Sequence, residues 1–394
     1  MTKTIHPFPA RMAPELALNS LRALKPGARV LDPMVGSGTV PQQAARLGLS
    51  AIAFDLDPLA VLISKVSTTP IADDELATGG TRLLDAAQSL KAHETTLPWL
   101  DGDEAAESFV EYWFGESQRE DLRRIAHILF HWESYGLSQK AADALRIALS
   151  RIIITKKQSA SLAQDTSHSR PHRVTTESAY DVFSGLASSV KALRRRLKDL
   201  PVTGNVEIKH GDARELLELE DATVDAVLTS PPYLNAIDYM RGHKMSLVWL
   251  GHKPQDLGRT RSDSIGAERR PDYPLEEERL LQTKLAMGEL SSLPSRYHGM
   301  IDRYVIDLHK MVREIARVLR QKGVVTFVMG NSCLRDVYIE NSAGLRDASE
   351  AAGLSFVEQW ERELPVGSRY LPTPATGALS KRMRKEVILR LTKH

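Results

Sequence analysis

Residues 30–39 read Val30-Leu31-Asp32-Pro33-Met34-Val35-Gly36-Ser37-Gly38-Thr39. An apolar run ends in an acid, crosses two glycines set one residue apart, and meets a helix-forming stretch. The pattern predicts a strand over Ala28–Met34, a turn at Gly36-Ser37-Gly38 and a helix over Thr39–Leu47. Glycines let the main chain pass close to a ligand, and a helix start offers free N–H groups. Taken singly, the same residues also fit a plain tight turn between strand and helix. Ser50–Leu56 is a second apolar strand, and Pro58 opens a further helix at a position where proline is tolerated. Strand, helix, strand at this spacing predicts a parallel βαβ unit. Upstream, Pro14–Leu24 carries Leu16, Leu18, Leu21 and Leu24 as the apolar positions of a helix, stopped by Lys25-Pro26-Gly27.

Working outward, three blocks emerge. Residues 1–66 hold this unit. Residues 67–204 read as mainly helical, over Leu76–Lys91, Glu107–Phe114, Asp121–Tyr135, Lys140–Thr155 and Thr176–Leu200, with a polar loop at Ser159–Arg173. Residues 205–394 return to strands at Val206–His210, Val224–Leu228 and Gly323–Met329, with a late antiparallel pair at Leu354–Glu361 and Glu386–Thr392. A polar insertion falls near 251–297, and Ile301–Leu319 is a strongly periodic helix. The expected fold class is α/β, a Rossmann-like sheet with a helical insertion.

The 394 residues carry a net charge of +2 with 26% charged residues, so no polyanionic partner follows from overall charge. One cysteine, Cys333, excludes an intrachain disulfide and a zinc site of several thiolates. No metal site is expected. No signal-like or membrane-spanning apolar run is present, which points to the cytoplasm.

Three further signals follow strands. Asp55, in Phe54-Asp55-Leu56-Asp57-Pro58, is placed to accept from the two hydroxyls of a ribose, while Asp57 suits a cap on the helix opened by Pro58. Asp212, in His210-Gly211-Asp212-Ala213, suits either an adenine amino group or a loop-end cap. Sharpest is Thr229-Ser230-Pro231-Pro232-Tyr233. Two prolines stiffen the chain and hold a hydroxyl, a carbonyl and an aromatic face in one corner. That corner suits a flat heterocycle bearing an NH₂: Ser230 and the Pro231 carbonyl accept, and Tyr233 stacks. The bland alternative is a stiffened turn.

Together these motifs resemble the amino-directed DNA methyltransferases, which make N4-methylcytosine or N6-methyladenine. Asp32-Pro33-Met34-Val35-Gly36-Ser37-Gly38-Thr39 is similar to their cofactor loop, D-P-F-x-G-S-G-T, with Met34 where phenylalanine is usual. His6-Pro7-Phe8-Pro9-Ala10-Arg11 resembles the segment they place beside the methionine part of the cofactor, and Ser230-Pro231-Pro232-Tyr233 their catalytic motif in its serine form, associated mainly with cytosine N4 enzymes.

The resemblance implies a seven-stranded methyltransferase sheet, S-adenosylmethionine as cofactor, and double-stranded DNA as partner. It implies cofactor contacts from Phe8, Pro9, Ala10, Arg11, Asp32, Pro33, Gly36, Ser37, Gly38, Thr39, Asp55, Asp57, Asp212 and Ala213. It also implies direct methyl transfer to a flipped-out base, with a cognate restriction endonuclease acting separately. Cys333 lies away from the catalytic corner and reads as a buried structural thiol, which argues against cytosine C5 chemistry. Arg170, Arg173, Arg194, Arg195, Arg259 and Arg261 are the candidates for phosphate contact, though each also suits a solvated face. Rival readings on the same residues are adenine N6 transfer, methylation of an RNA or protein amine, and a DNA-binding protein without catalysis.

Overall fold

The structure, a computed structural model, describes residues 4–7, 12–155, 158–164, 171–198, 204–234, 238–267, 273–364 and 385–394. The chain divides into two compact units. One comprises residues 12–56, 203–236 and 262–394, and the other residues 1–11, 57–202 and 237–261.

The first unit is built on a seven-stranded sheet. Its strands are β1 (Arg29–Asp32), β2 (Ser50–Asp55), β3 (Val206–His210), β4 (Val224–Thr229), β5 (Leu319–Met329), β6 (Leu354–Glu363) and β7 (Lys385–Lys393). Their order across the sheet is β6-β7-β5-β4-β1-β2-β3. The pairs from β5 to β3 are parallel, and β7 runs antiparallel to both β5 and β6. The seven strands stand where the hydrophobic pattern placed them, and the late pair is antiparallel as expected.

Side chains alternate between the two sheet faces. Leu31, Ile52, Val227, Phe327 and Leu389 enter one core, which also receives Ile301, Tyr304, Val305, Leu308, Met311, Val312 and Ile315 of the helix His298–Val318. Val30, Ala51, Leu228, Val328 and Ile388 enter the other, against Ala17 and Leu21 of the helix Pro14–Leu21 and Val40 and Ala44 of the helix Thr39–Arg46. Both faces are covered, so the central strands read in sequence as unbroken apolar runs.

Strand order reverses between β1 and β4, the place where open α/β sheets hold ligands beyond their strand ends. A helix, Asn341–Ala351, joins the hairpin after β5 to β6 and was not anticipated. Its buried positions are Asn341, Ser342, Gly344, Leu345, Ala348 and Ser349, and one leucine among small or polar groups leaves almost no hydrophobic period. The polar insertion near 251–297 contains the helices Pro254–Asp263 and Glu277–Ala286.

The second unit is helical around one core, including Leu59, Ile63, Leu83, Leu122, Leu145, Ile152, Leu186 and Trp249. The helix Pro58–Thr68 belongs to it, sinking Leu59, Ile63 and Val66 into that core. Residues 237–261 join it too: Met240, Met245, Leu247 and Val248 are buried there, and Val248 O accepts from Trp99 Nε1 at 2.7 Å. No helix of the described residues is long and apolar enough to cross a membrane.

Candidate active site

Asp32 closes β1 and is 3% exposed. The chain then turns: the Val35 N–H donates to Phe54 O at 2.8 Å, and the Gly36 N–H to Asp55 Oδ2 at 2.8 Å. Gly36 and Gly38 have φ of 49° and 81°, in the left-handed region where a Cβ is crowded. This is the physical reason for the G-x-G. The helix Thr39–Arg46 opens on Gly38, which has no side chain to cap its first N–H groups. Pro33 and Thr39 are buried, and Ser37 is half-buried. Asp55, half-buried at the end of β2, fixes the glycine turn through the Gly36 N–H, a role the sequence did not disclose.

Asp32 Oδ1 accepts from the Thr229 hydroxyl at 2.8 Å and from the Met34 N–H at 3.3 Å. Burial pushes its carboxyl up to about 7; the bonds from Thr229 and Met34 oppose that rise, and the nearby Asp55 charge adds to it.

Asp57 is buried and belongs to the helical unit. Its Oδ1 caps the helix Pro58–Thr68 through the Leu59 N–H at 2.9 Å, and its Oδ2 is bonded to His243 Nδ1. Burial pushes this carboxyl up, but the His243 charge and hydrogen bond outweigh that and hold it below the ordinary range. The structure thus places Asp57 in a cap, with a histidine partner 186 positions away.

Asp212 follows β3 in a turn where Gly211 lies against Phe54: a Cβ there would sit 2.8 Å from the Phe54 ring. Both oxygens of Asp212 accept from Arg214, at 3.0 Å from Nε to Oδ1 and 2.6 Å from Nη2 to Oδ2. Arg214 Nη1 reaches Asp307 Oδ1 at 2.6 Å. Two carboxylates raise the Arg214 guanidinium against the opposing effect of its burial. Ala213, beside it, is buried.

The corner after β4 is rigid. Thr229 is fully buried and Ser230 exposed; Pro231 is buried, and Pro232 and Tyr233 are half-buried. Pro232 O accepts from the Tyr304 hydroxyl at 3.2 Å, and the Leu234 N–H donates to Asn341 Oδ1 at 3.3 Å. The Asn341 amide donates onward to Gly330 O at 3.1 Å and Ser332 Oγ at 3.0 Å. Tyr304 and Asn341 therefore hold the corner from behind. Tyr304 lies in the periodic helix His298–Val318, where nothing in the sequence sets it apart from its neighbours; Asn341 gave no signal.

The remaining expectations divide. Phe8, Pro9, Ala10, Arg11 and Arg170 lie outside the described residues. Arg194 is engaged by Asp73 through two bonds of 2.9 and 2.7 Å, and the Arg173 guanidinium lies 5.0 Å over the Tyr112 ring. Arg261 Nε is bonded to Asp238 at 2.5 Å. These three have structural partners that charge patterning cannot reveal. Arg195 and Arg259 are exposed, Arg259 paired with Asp256 at 3.1 Å. Cys333 is half-buried on a hairpin strand rather than buried. Among the described residues, no group of three or more His, Cys, Asp or Glu is placed to hold a metal ion.

A glycine turn, an acid at the end of β2 and a proline-stiffened corner at the end of β4 define a Rossmann-like α/β protein with its candidate site at the strand carboxyl ends. The chain is 22% identical over 421 aligned residues to the type II methyltransferase M.MvaI of Kocuria varians, covering 99% of this chain and 91% of that one. It is 24% identical over 365 residues to the type II methyltransferase M.BsoBI of Geobacillus stearothermophilus, covering 78% and 69%. Among solved structures, a SAM-dependent methyltransferase from Methanosarcina mazei aligns over 98% of this chain and 99% of its own, at 9% identity and a TM-score of 0.34. No family model matches.

Proposed function

We propose that this protein transfers a methyl group from S-adenosylmethionine to the N4 nitrogen of cytosine in duplex DNA. The observation that carries the reading is the Asp32–Thr229 hydrogen bond, which ties the start of the glycine turn to the residue before Ser230. A cofactor turn and a substrate corner joined in this way suit a two-substrate transfer. Similarity to two type II methyltransferases along most of the chain supports the same reading.

The donor set fits the cofactor. Left-handed glycines and a helix start without a side-chain cap suit close approach of a charged group to the main chain. Asp55 is the acid for the ribose, and Asp212, held in place by Arg214, the acceptor for the adenine edge. When bound, the cofactor supplies an electrophilic methyl on a sulfonium. The chain's own work is positioning and charge stabilisation. An exocyclic base amine is a weak nucleophile, because its lone pair is delocalised into the ring. Ser230 Oγ and the Pro231 carbonyl hold the NH₂ and favour a tetrahedral nitrogen as positive charge develops. Tyr233 stacks on the base, which has to leave the duplex to reach the corner.

Serine at position 230 favours cytosine over adenine by resemblance. By the family resemblance of its motifs, such an enzyme works beside a separate restriction endonuclease.

The test is to incubate the protein with S-adenosylmethionine and mixed-sequence duplex DNA, digest to nucleosides and analyse by mass spectrometry. N4-methyldeoxycytidine is expected. N6-methyldeoxyadenosine would reverse the base assignment. Absence of any methylated nucleoside from a protein that binds cofactor would overturn the DNA reading in favour of an RNA or protein amine, or of binding alone.

A further inference from the structure

β5 lies beside β4 and runs parallel to it, so the chain that leaves β5 emerges at the same carboxyl end of the strands as the Ser230 corner. It forms a hairpin, Ser332–Leu334 paired with Val337–Ile339. Leu334 pairs with Val337, leaving Arg335 and Asp336 as a two-residue turn. Both are left-handed, with φ of 48° and 69°. Turns of this kind are normally built from asparagine and glycine, because a Cβ is crowded there. Aspartate tolerates the conformation, but arginine has no backbone reason to occupy it.

Its side chain supplies one. Arg335 is exposed, and its Nε donates to the Tyr297 hydroxyl at 3.0 Å. Arg296, also exposed, donates to the same hydroxyl at 3.4 Å and lies 5.0 Å over the Tyr297 ring. The bond from Arg335, then that from Arg296, draws the phenol below its ordinary range. Two guanidinium groups from separate segments thus converge on one neutral oxygen. Like charges so placed repel, and an anion between them removes the penalty. Asp336, next to Arg335 in the chain, is the acid whose charge acts on it.

The hairpin is fastened to the catalytic corner. Asn341 holds the Leu234 N–H with its oxygen, and Gly330 O and Ser332 Oγ with its amide nitrogen. An anion bound at the turn is therefore held in a set position relative to Ser230.

We propose that Arg296, Tyr297 and Arg335 form a phosphodiester clamp for the DNA strand that carries the target base. Guanidinium groups match phosphate oxygens in a two-bond fork, and the tyrosine hydroxyl adds a third donor. Phosphate contacts fix register without reading sequence, which is what a flipped nucleotide needs from its flanking backbone. The inference rests on the DNA reading above.

The test uses the full chain, duplex DNA and a salt series. Arg296→Ala and Arg335→Ala are each expected to weaken DNA binding about threefold to tenfold. Each should also reduce the slope of log affinity against log salt by about 0.9, the signature of one lost phosphate contact. KM for DNA should rise more than kcat falls, with S-adenosylmethionine affinity unaltered. Arg335→Lys should keep most of the salt slope. Because the two arginines stand on different segments, a folding defect in one variant leaves the other as the test. If the unaltered protein methylates DNA while both alanine variants keep its slope and KM, the clamp is overturned and the DNA reading stands. If the unaltered protein neither binds nor methylates duplex DNA, both fall.

Discussion

The Thr229 hydroxyl donates to Asp32 Oδ1 at 2.8 Å, joining the carboxyl ends of β4 and β1 across 197 positions of sequence. Asp32 opens the glycine turn and Thr229 precedes Ser230, so one buried bond couples the two halves of the proposed site. Replacing Thr229 with valine keeps the shape and removes the donor, leaving a buried carboxyl short of a partner. Urea unfolding should show a loss of about 1–3 kcal/mol. A smaller loss than that would mean the bond does not hold the two strands together.

The same carboxyl sets a pH dependence. In the folded chain it keeps its proton up to about 7, whereas in the unfolded chain it is an ordinary aspartic acid near 4. Between those values the folded state binds more protons, so this residue's contribution makes stability fall as pH rises from about 4 to about 7 and level off above. Asp32→Asn should flatten that part of the curve when unfolding midpoints are compared across the window. An undiminished slope in the variant would assign the dependence to another group.

Ser230 and Tyr233 are expected to act on the transferring step. Ser230→Ala should lower single-turnover rates by about a hundredfold, the usual scale for one lost charge-stabilising contact, and Tyr233→Ala by about tenfold to a hundredfold, the scale of one lost base-stacking platform. Cofactor affinity by calorimetry should change far less. An alanine enzyme with normal turnover would remove Ser230 from its role.

Tyr304 touches no reacting atom; it positions the corner through Pro232 O at 3.2 Å. Tyr304→Phe should cost about 1–2 kcal/mol of stability and lower kcat while leaving cofactor binding intact. If kcat and cofactor affinity fell together, the tyrosine would be serving the whole fold rather than the corner.

Asp55 has two tasks in the proposed site, the ribose and the Gly36 N–H. Asp55→Ala should weaken S-adenosylmethionine binding about tenfold or more. Asp55→Asn, whose amide oxygen still accepts from Gly36, should recover part of it. Unchanged affinity in both variants would move the ribose contact elsewhere.

From the sequence by itself came the sheet, its strand order along the chain and the positions of the glycine turn and the Ser230 corner. These are local signals. A strand buried on both faces is an apolar run, a left-handed turn demands glycine, and two adjacent prolines stiffen a turn wherever it sits. Helix Asn341–Ala351 escaped because its buried face carries one leucine, Leu345, among small and polar residues. Only the tertiary structure decided the partners: Asp32 with Thr229, Arg214 with Asp307, Asp57 with His243, Arg194 with Asp73, and Arg335 with Tyr297. It also decided which core received the helix Pro58–Thr68. The reason is physical. A charged or polar side chain is satisfied by whichever group the folded backbone brings within about 3 Å, and residues dozens to hundreds of positions apart leave no mark of that meeting in the local pattern.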